Sequence, residues 1–272
     1  MIDQAQVTII VPHLGGTLES EYALKQCMIS LRETVPNIKK IIVKNGDRGF
    51  YEEAEMDFIE DAEIIRMDMQ GQCKAVNAAA ATTNTPWIFV TNDDMVYPPG
   101  WWEKLVNPSE GTRDVKLDDE QKYCISPQLV EPRSGAPTFI VEFCGGAGGD
   151  FDKQKFLEFA KNHIGEGMGW RPLRTGFNLP FLIKKELWDL IGGYDINFDP
   201  WGSNGDSDLE YKIRLAGIQP YQNTNCLVYH FSQTSGTFHP DNQSYWQKNW
   251  DYFIKKWGFP RTDEGIWEAN FV

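Results

Sequence analysis

Over about its first 105 residues, the chain alternates between short apolar runs and segments with helical spacing. Runs rich in β-branched residues predict strands, and apolar residues three or four positions apart predict helices that bury one face. This alternation is typical of a doubly wound parallel sheet flanked by helices. The predicted strands span residues 7–11, 38–43, 64–67 and 87–90, and the predicted helices include one around Leu24, Cys27, Met28 and Leu31, then 51–59 and 73–82.

Two adjacent carboxylates, Asp93 and Asp94, follow the fourth predicted strand. Parallel sheets bind ligands at the carboxyl ends of their strands, so these acids lie where a ligand is expected. Neighbouring acids repel each other, and a divalent cation with oxygen ligands would relieve that repulsion. An acidic turn is the alternative, because Asn and Asp are ordinary turn residues. The residues alone leave both interpretations open.

The remainder of the chain is less regular. A glycine-rich stretch at 144–149 follows a strand and precedes a helix, which suits a phosphate cradle, but it lacks the Lys-Ser/Thr of a P-loop. A lid or an irregular connection is therefore the alternative. Strands are predicted at 123–129, 138–143, 181–183 and 226–229, helices at 153–162, 184–191, 209–216 and 242–257, and a polar surface loop at 107–122.

The segment from Tyr194 to Asp208 is a loop dense in acids, Gly and Trp. Asp206 and Asp208 fall at the N-terminus of the helix predicted after it. One of them, or Ser207, could simply cap that helix, since side-chain oxygens accept from the free N–H groups of a first turn. The alternative is that these acids have a chemical role.

Composition narrows the classes of function. The chain has 272 residues with 41% hydrophobic and 24% charged residues, which is ordinary for a globular α/β protein. Its net charge of -13 disfavours extended nucleic-acid binding, which needs a basic face. The five scattered cysteines form no CxxC pair and predict free thiols in a reducing compartment. No signal-peptide or membrane-spanning pattern is present, so we expect a soluble, cytoplasmic protein.

Four landmarks in order resemble those of family-2 glycosyltransferases of the GT-A fold, nearly end to end. The region around the third landmark and the later histidine is also similar to β-1,4-galactosyltransferases, through Trp201-Gly202, Asp206-Ser207-Asp208 and His230. The four landmarks are the apolar strand ending at Pro12; Ala75-Val76-Asn77-Ala78-Ala79 before Asn92-Asp93-Asp94 and Pro98-Pro99-Gly100-Trp101; Gly192-Gly193-Tyr194-Asp195 before Asp206-Ser207-Asp208-Leu209 and Gly217; and Val228-Tyr229-His230 before Ser235.

The resemblance implies a single GT-A domain with a mostly parallel central sheet. Residues 1–105 would form the nucleotide-sugar-binding half, 106–240 the acceptor and catalytic half, and 241–272 a C-terminal helical tail. The implied activity is metal-dependent and inverting. It would move a sugar from a UDP- or GDP-sugar to a hydroxyl of a glycan or another acceptor, with Mn²⁺ or Mg²⁺ as cofactor.

The motifs also imply roles for individual residues. Asp94, at the last position of the family's DxD motif, would ligate the metal together with His230. Asn92 stands where the first Asp is usual and would contact the ribose or a metal-bound water, while Asp93 is the variable middle position. Asp206 would be the general base that takes the acceptor's proton. Gly205 replaces the usual Glu before it, which leaves Asp208 as the alternative base.

Further residues are expected at the edges of the site. Pro12, Lys74 and Asp47 would contact the donor, and Asp47 would substitute for the acid that the family often has where this chain has Lys44. Trp201, Asp208 and Asn178 are expected to contact the acceptor. Two other functions stay open as alternatives: an inactive sugar- or nucleotide-binding module, and a GT-A-like nucleotidyltransferase. The latter is disfavoured because residues 12–16 contain no Arg or Lys.

Overall fold

The computed structural model describes residues 2–46, 57–68, 71–107, 122–133, 140–163, 169–173, 179–232, 234 and 239–260. Strands and helices alternate in the described part of the first hundred residues, as the sequence predicts, although only a 3-10 turn is described between the second and third strands. The strands are β1 (Val7–His13), β2 (Lys39–Asn45), β3 (Ala62–Met67), β4 (Trp87–Val90), β5 (Met95–Val96), β6 (Tyr123–Glu131), β7 (Ile140–Val141), β8 (Trp170–Pro172), β9 (Phe181–Lys184) and β10 (Gln219–His230). The helices are α1 (Leu18–Thr34), α2 (Gln72–Thr82), α3 (Trp101–Val106), α4 (Lys153–Asn162), α5 (Lys185–Ile191), α6 (Gly205–Leu215) and α7 (Gln243–Trp257).

The described strands form one mixed sheet in the order β3-β2-β1-β4-β9-β6-β10-β5, with β7 beside β6 and β8 beside β10. The first four strands in this order are parallel, and β1 lies between β2 and β4. The predicted parallel sheet of the N-terminal half is therefore confirmed. β9 runs antiparallel between β4 and β6 and joins the two halves into one sheet.

Helices cover both faces of this sheet because residues alternate sides along each strand. On one face, Ile9 and Val11 of β1 share a core with Leu24 and Met28 of α1. On the other, Ile10 joins the small residues of α2 and the apolar residues of α5 and α6. The small side chains of α2 let its backbone approach the strands closely. The members of α2 in this second core are Cys73, Ala75, Val76, Ala79 and Ala80.

Some predicted boundaries are wrong in informative ways. The helix predicted at 209–216 begins at Gly205, so Asp206 and Asp208 lie within its first turn. The strand predicted at 226–229 extends from Gln219 to His230. Of the strand predicted at 138–143, the described part contains Ile140–Val141, and 138–139 lie outside the described residues. Of the helix predicted at 51–59, the described part shows a 3-10 turn at Asp57–Ile59, and 51–56 lie outside the described residues.

All five cysteines are free and buried, which confirms the prediction of free thiols; they are Cys27, Cys73, Cys124, Cys144 and Cys226. Across the described residues, no helix combines the length and the apolar character needed to cross a membrane. A cytoplasmic location remains a prediction.

Candidate active site

The short strand β5 brings Asp94 to His230. Met95 of β5 pairs with His230 at the end of β10 in an antiparallel register, and Phe231 N–H donates to the Asp94 carbonyl at 3.0 Å. Because Asp94 immediately precedes β5, this pairing fixes it beside the last residue of β10. Two residues far apart in the sequence thus meet at the carboxyl edge of the sheet.

The Asp94 carboxylate is buried and has different neighbours at its two oxygens. Oδ2 accepts a 3.0 Å hydrogen bond from Thr234 Oγ1. Oδ1 lies 3.3 Å from His230 Nε2 but, among the described residues, accepts no hydrogen bond. Burial raises the pKa of Asp94, but the charge of His230 and the Thr234 hydrogen bond outweigh it, so the pKa lies below its usual value.

His230 is oriented by Glu131, the last residue of β6. Its Nδ1 lies 2.5 Å from Glu131 Oε1, which leaves Nε2 directed toward Asp94. Burial alone would lower the pKa of His230, but the Asp94 and Glu131 carboxylates raise it to about 10. A carboxylate bonded to the second ring nitrogen is the usual partner of a metal-ligating histidine, because it fixes the ring and its tautomer.

Asp94 and His230 could supply two ligands of a divalent cation whose remaining ligands come from the substrate. A carboxylate oxygen without a hydrogen bond among the described residues faces an imidazole nitrogen across 3.3 Å. A carboxylate ligates Mg²⁺ or Mn²⁺, and an imidazole nitrogen is a ligand of transition-metal ions such as Mn²⁺. Within the described residues, no group of three or more His, Cys, Asp or Glu side chains could hold a metal alone. Mg²⁺-type sites commonly use one or two protein ligands and take the rest from substrate phosphates and water.

Asp93 contacts a different histidine. β1 pairs with β4 up to Ile10 and Val90. Three residues after each of these, His13 and Asp93 are neighbours, and His13 Nδ1 lies 2.6 Å from Asp93 Oδ2. His13 Nε2 lies 3.2 Å from Glu21 Oε1 on α1. Burial lowers the pKa of His13, but the bonds to the two carboxylates raise it to about 9. Asp93 therefore ties the acidic turn to β1 and α1.

The N-terminus of α2 lies next to the acidic turn. Gln72 Nε2 donates to Asn92 Oδ1 at 3.5 Å. The N–H groups of Cys73 and Lys74 donate to the two oxygens of Asp199 at 3.0 and 2.9 Å, so a carboxylate from a distant loop caps the helix. The close approach requires glycine at position 71, where φ is +107° and a Cβ atom would lie 2.1 Å from Asp199 Oδ1.

α2 also positions Asp206 through Asn77 and Tyr194. Asn77 Nδ2 donates to the Tyr194 carbonyl at 2.8 Å, and Tyr194 N–H donates to Asn77 Oδ1 at 2.9 Å. The buried Tyr194 hydroxyl then donates to Asp206 Oδ1 at 2.8 Å. Asp206 itself is exposed at the first turn of α6. The donor-side helix is thus tied to the predicted general base through one tyrosine.

Asp208, two residues further along α6, faces the protein interior. Its side chain is fully buried, and Oδ1 lies 2.6 Å from Lys256 Nζ and 2.9 Å from Trp257 Nε1 of α7. This placement favours a structural role for Asp208 over contact with an acceptor or a role as the base. Trp201 is partly exposed in the loop before α6.

The other predicted site residues are placed as follows. Pro12 is buried within β1, and Lys74 is partly exposed on the first turn of α2. Lys44, which replaces the family's acid at the end of the second strand, lines a pocket of about 290 Å³ together with His13 and Arg66. Asp47 and Asn178 lie outside the described residues.

Sequence reasoning missed several partners of these residues. Glu131, His13 and Glu21 carried no local signal, since their contacts depend on strand register. Asn77 was a detectable exception, because it is a lone polar residue among alanines on α2. Tyr194 belongs to the Gly192-Gly193-Tyr194-Asp195 motif, but its hydroxyl contact with Asp206 depends on where α6 begins.

Three solved structures illustrate what this chain is similar to. A crystal structure of GalNAc-T7 with UDP, GalNAc and Mn²⁺ aligns with a TM-score of 0.57 at 13% identity, covering 82% of this chain and 43% of that one. Mannosyltransferase PcManGT from Pyrobaculum calidifontis, in complex with GDP-Man and Mn²⁺, gives 0.52 at 12%, covering 92% and 64%. TarS residues 1–349 from S. aureus give 0.51 at 8%, covering 97% and 75%. This chain therefore spans less than half of the GalNAc-T7 chain.

The mixed sheet and these alignments define the class: the chain has the GT-A glycosyltransferase fold. The sequence model described as Glycosyl transferase family 2 matches residues 8–134, a little under half of the chain. A search of curated protein sequences finds no match. The resemblance read from the sequence motifs is confirmed at the level of family and fold.

Proposed function

We propose that the protein is a metal-dependent, inverting glycosyltransferase that moves a sugar from a nucleotide-diphosphate donor to an acceptor hydroxyl. The observation that carries the proposal is Asp94 Oδ1, which is buried, accepts no hydrogen bond among the described residues and faces His230 Nε2 at 3.3 Å. A buried carboxylate needs a positive partner; a charged His230 supplies it in this arrangement, and a divalent cation would supply it when His230 acts as a neutral imidazole ligand. The match to family 2 and the neighbours solved with Mn²⁺ and UDP or GDP-Man support the same function.

The first role of this chain's residues is to hold the donor diphosphate at the carboxyl edge of the sheet. Asp94 and His230 would hold Mn²⁺ or Mg²⁺, with Glu131 fixing the imidazole. When bound, the ion would neutralise the charge that develops on the leaving diphosphate. Asn92, whose Oδ1 accepts a hydrogen bond from Gln72, would contact the ribose or a metal-bound water.

The second role is proton removal from the acceptor. Asp206 is exposed and its Oδ1 accepts a hydrogen bond from the Tyr194 hydroxyl; its carboxylate would accept the proton as the acceptor oxygen attacks the anomeric carbon. A single displacement by that oxygen inverts the configuration of the sugar and needs no covalent intermediate. Asp208 is a poor base here because it is fully buried and paired with Lys256.

The remaining assignments concern recognition. Pro12, Lys74 and Asp93 on the donor side lie on β1, α2 and the acidic turn, which meet at one edge of the sheet, and Asp47 is proposed to join them. Trp201 and Asn178 are proposed to border the acceptor, a glycan or another hydroxyl compound.

The experiment is an assay of nucleoside diphosphate release from a panel of UDP- and GDP-sugars, with Mn²⁺ or with EDTA. The proposal predicts release from at least one donor with Mn²⁺ and little with EDTA, increased by a suitable hydroxyl acceptor. Binding of a donor without release, under any acceptor condition, would instead identify an inactive binding module. Equal release in Mn²⁺ and EDTA would contradict metal dependence.

A further inference from the structure

The loop before α6 is held at both ends by one lysine of the C-terminal helix. Lys256 Nζ lies 2.7 Å from Asp195 Oδ2 and 2.6 Å from Asp208 Oδ1. Asp195 begins the loop, where it caps the 3-10 turn Ile196–Phe198, and Asp208 lies in the first turn of α6. The Lys256 ammonium group therefore links the two ends of residues 195–208, which restricts the conformations of the residues between them.

The middle of the same loop is held by Asn249, also on α7. Asn249 is buried, and its Nδ2 donates to the Phe198 carbonyl at 2.7 Å and lies 3.1 Å from both the carbonyl and the hydroxyl of Ser203. The Phe198 ring packs edge-on against Tyr252 with centroids 5.1 Å apart. Three turns of α7 therefore contact residues 195–208 at the start, the middle and the end.

α7 also fixes how the first turn of α6 is rotated. Asp206 and Asp208 are two positions apart, so they point to different sides of the helix. Trp257 Nε1 donates to Asp208 Oδ1 at 2.9 Å, and the Trp257 ring packs against Tyr211 of α6 with centroids 5.0 Å apart. Because Asp208 points into the protein, Asp206 points toward the surface, and its Oδ1 accepts a hydrogen bond from the Tyr194 hydroxyl.

We propose that α7, in addition to the contact from Tyr194, positions Asp206, with Lys256 and Trp257 as positioning residues that act through Asp208. The proposal rests on the proposed function in taking Asp206 as the general base. It extends the catalytic apparatus to a helix far outside residues 8–134, the part that matches the family. Displacement of a catalytic group by about 1 Å can cost on the order of 10²-fold in rate, so loosening this contact is expected to act on kcat.

The test compares Lys256→Met with Lys255→Met, a matched control because Lys255 is exposed on the same helix. Trp257→Phe is the second variant, since it keeps an aromatic ring on this face of α7 and removes the indole N–H that donates to Asp208. For Lys256→Met we expect kcat to fall about tenfold or more, with the donor KM nearly unchanged, because proton transfer needs near-ideal placement of the base. Trp257→Phe should show a smaller loss of the same kind, and the control none.

A second readout does not depend on activity. Amide hydrogen exchange in residues 195–209 should be faster in Lys256→Met and in Trp257→Phe than in Lys255→Met, with β1 and β4 unchanged. Unchanged exchange in this segment, or faster exchange with unchanged kcat, would overturn the positioning role. If the wild-type protein binds no nucleotide sugar, the proposed function fails, while the exchange experiment still decides whether α7 holds the segment. Trp257→Phe keeps the test decisive if Lys256→Met does not fold.

Discussion

Asp94 Oδ1 and His230 Nε2 lie 3.3 Å apart at the carboxyl edge of the sheet, held there by the pairing of β5 with β10. The pair depends on a third residue, because Glu131 bonds the other nitrogen of the same imidazole at 2.5 Å. A metal-ligating histidine is commonly hydrogen-bonded through its second ring nitrogen to a carboxylate, as His230 is to Glu131.

Glu131→Gln should weaken metal-dependent donor binding without abolishing it. Residues that orient a metal-ligating histidine typically contribute about 10- to 100-fold to metal affinity. We therefore expect the Mn²⁺ concentration for half-maximal donor binding to rise by about that factor, measured by calorimetry at a fixed nucleotide-sugar concentration. Glu103→Gln, an exposed position on α3, is the control. An unchanged Mn²⁺ requirement in Glu131→Gln would show that the Glu131 carboxylate does not support a metal-ligating imidazole.

Asp206→Asn should abolish transfer and keep donor binding. The amide cannot take the acceptor's proton, and general-base catalysis is worth about 10²- to 10⁴-fold in kcat. Tyr194→Phe, which removes only the hydroxyl bonded to Asp206, should lower kcat by less. Steady-state transfer assays and donor titrations on both variants provide the measurement. Asp189→Asn, exposed on α5, serves as control, and wild-type turnover by Asp206→Asn would rule that residue out as the base.

His13→Ala should destabilise the fold strongly. The imidazole contacts two buried carboxylates, Asp93 at 2.6 Å and Glu21 at 3.2 Å. Removing one partner of a buried ion pair costs about 3–5 kcal/mol, because the remaining charge stays buried without compensation. Urea unfolding of the variant measures this loss. His239→Ala, whose side chain is 61% exposed, should change stability by less than about 0.5 kcal/mol; a similarly small change for His13→Ala would contradict the account of this ion pair.

The Asp195 carboxylate should contribute to stability in a pH-dependent way. Burial raises its pKa, but bonds from Lys256, the Asn197 backbone and Tyr252 outweigh burial and lower the pKa from 3.8 to about 2. A group with a depressed pKa in the folded state stabilises at pH values above its unfolded pKa, and this contribution is lost as pH falls through the folded pKa. Wild type should thus be more stable than Asp195→Asn near neutral pH.

The difference in unfolding free energy between wild type and Asp195→Asn should stay constant down to about pH 4 and become smaller below it. In that range the carboxylate is protonated in the unfolded state at a higher pH than in the folded state. Urea unfolding of both proteins across this pH range tests the prediction. A difference that does not narrow as the solution is acidified would show that Asp195 carries no such linkage.

The sequence predicted best those elements whose signals are local. β4 and α4 have the predicted bounds. A continuous apolar run and a capped amphipathic segment each carry enough local sequence information to predict where the element begins and ends. β10 was predicted at 226–229 only, because residues 219–225 are mostly polar and become a strand through pairing with β6 and β8. Strand propensity depends on such neighbours more than on the residues themselves.

The site was predictable as motifs and not as contacts. The resemblance identified Asp94, His230 and Asp206. No motif predicts that Glu131 is hydrogen-bonded to His230 or that Asp93 contacts His13. Those contacts follow from strand register, which one sequence does not specify. Asp208 illustrates the converse: its position in a motif predicted an acceptor contact, whereas the rotation of α6 places its carboxylate beside Lys256.

The central claim is that Asp94 holds a divalent cation that binds the donor diphosphate. The most direct measurement is a calorimetric titration of a UDP- or GDP-sugar into wild type and Asp94→Ala, each with Mn²⁺ and with EDTA. We predict that wild type binds a donor with Mn²⁺ and only weakly with EDTA, and that Asp94→Ala binds weakly in both conditions. Mn²⁺-dependent binding by Asp94→Ala at wild-type affinity would contradict the claim.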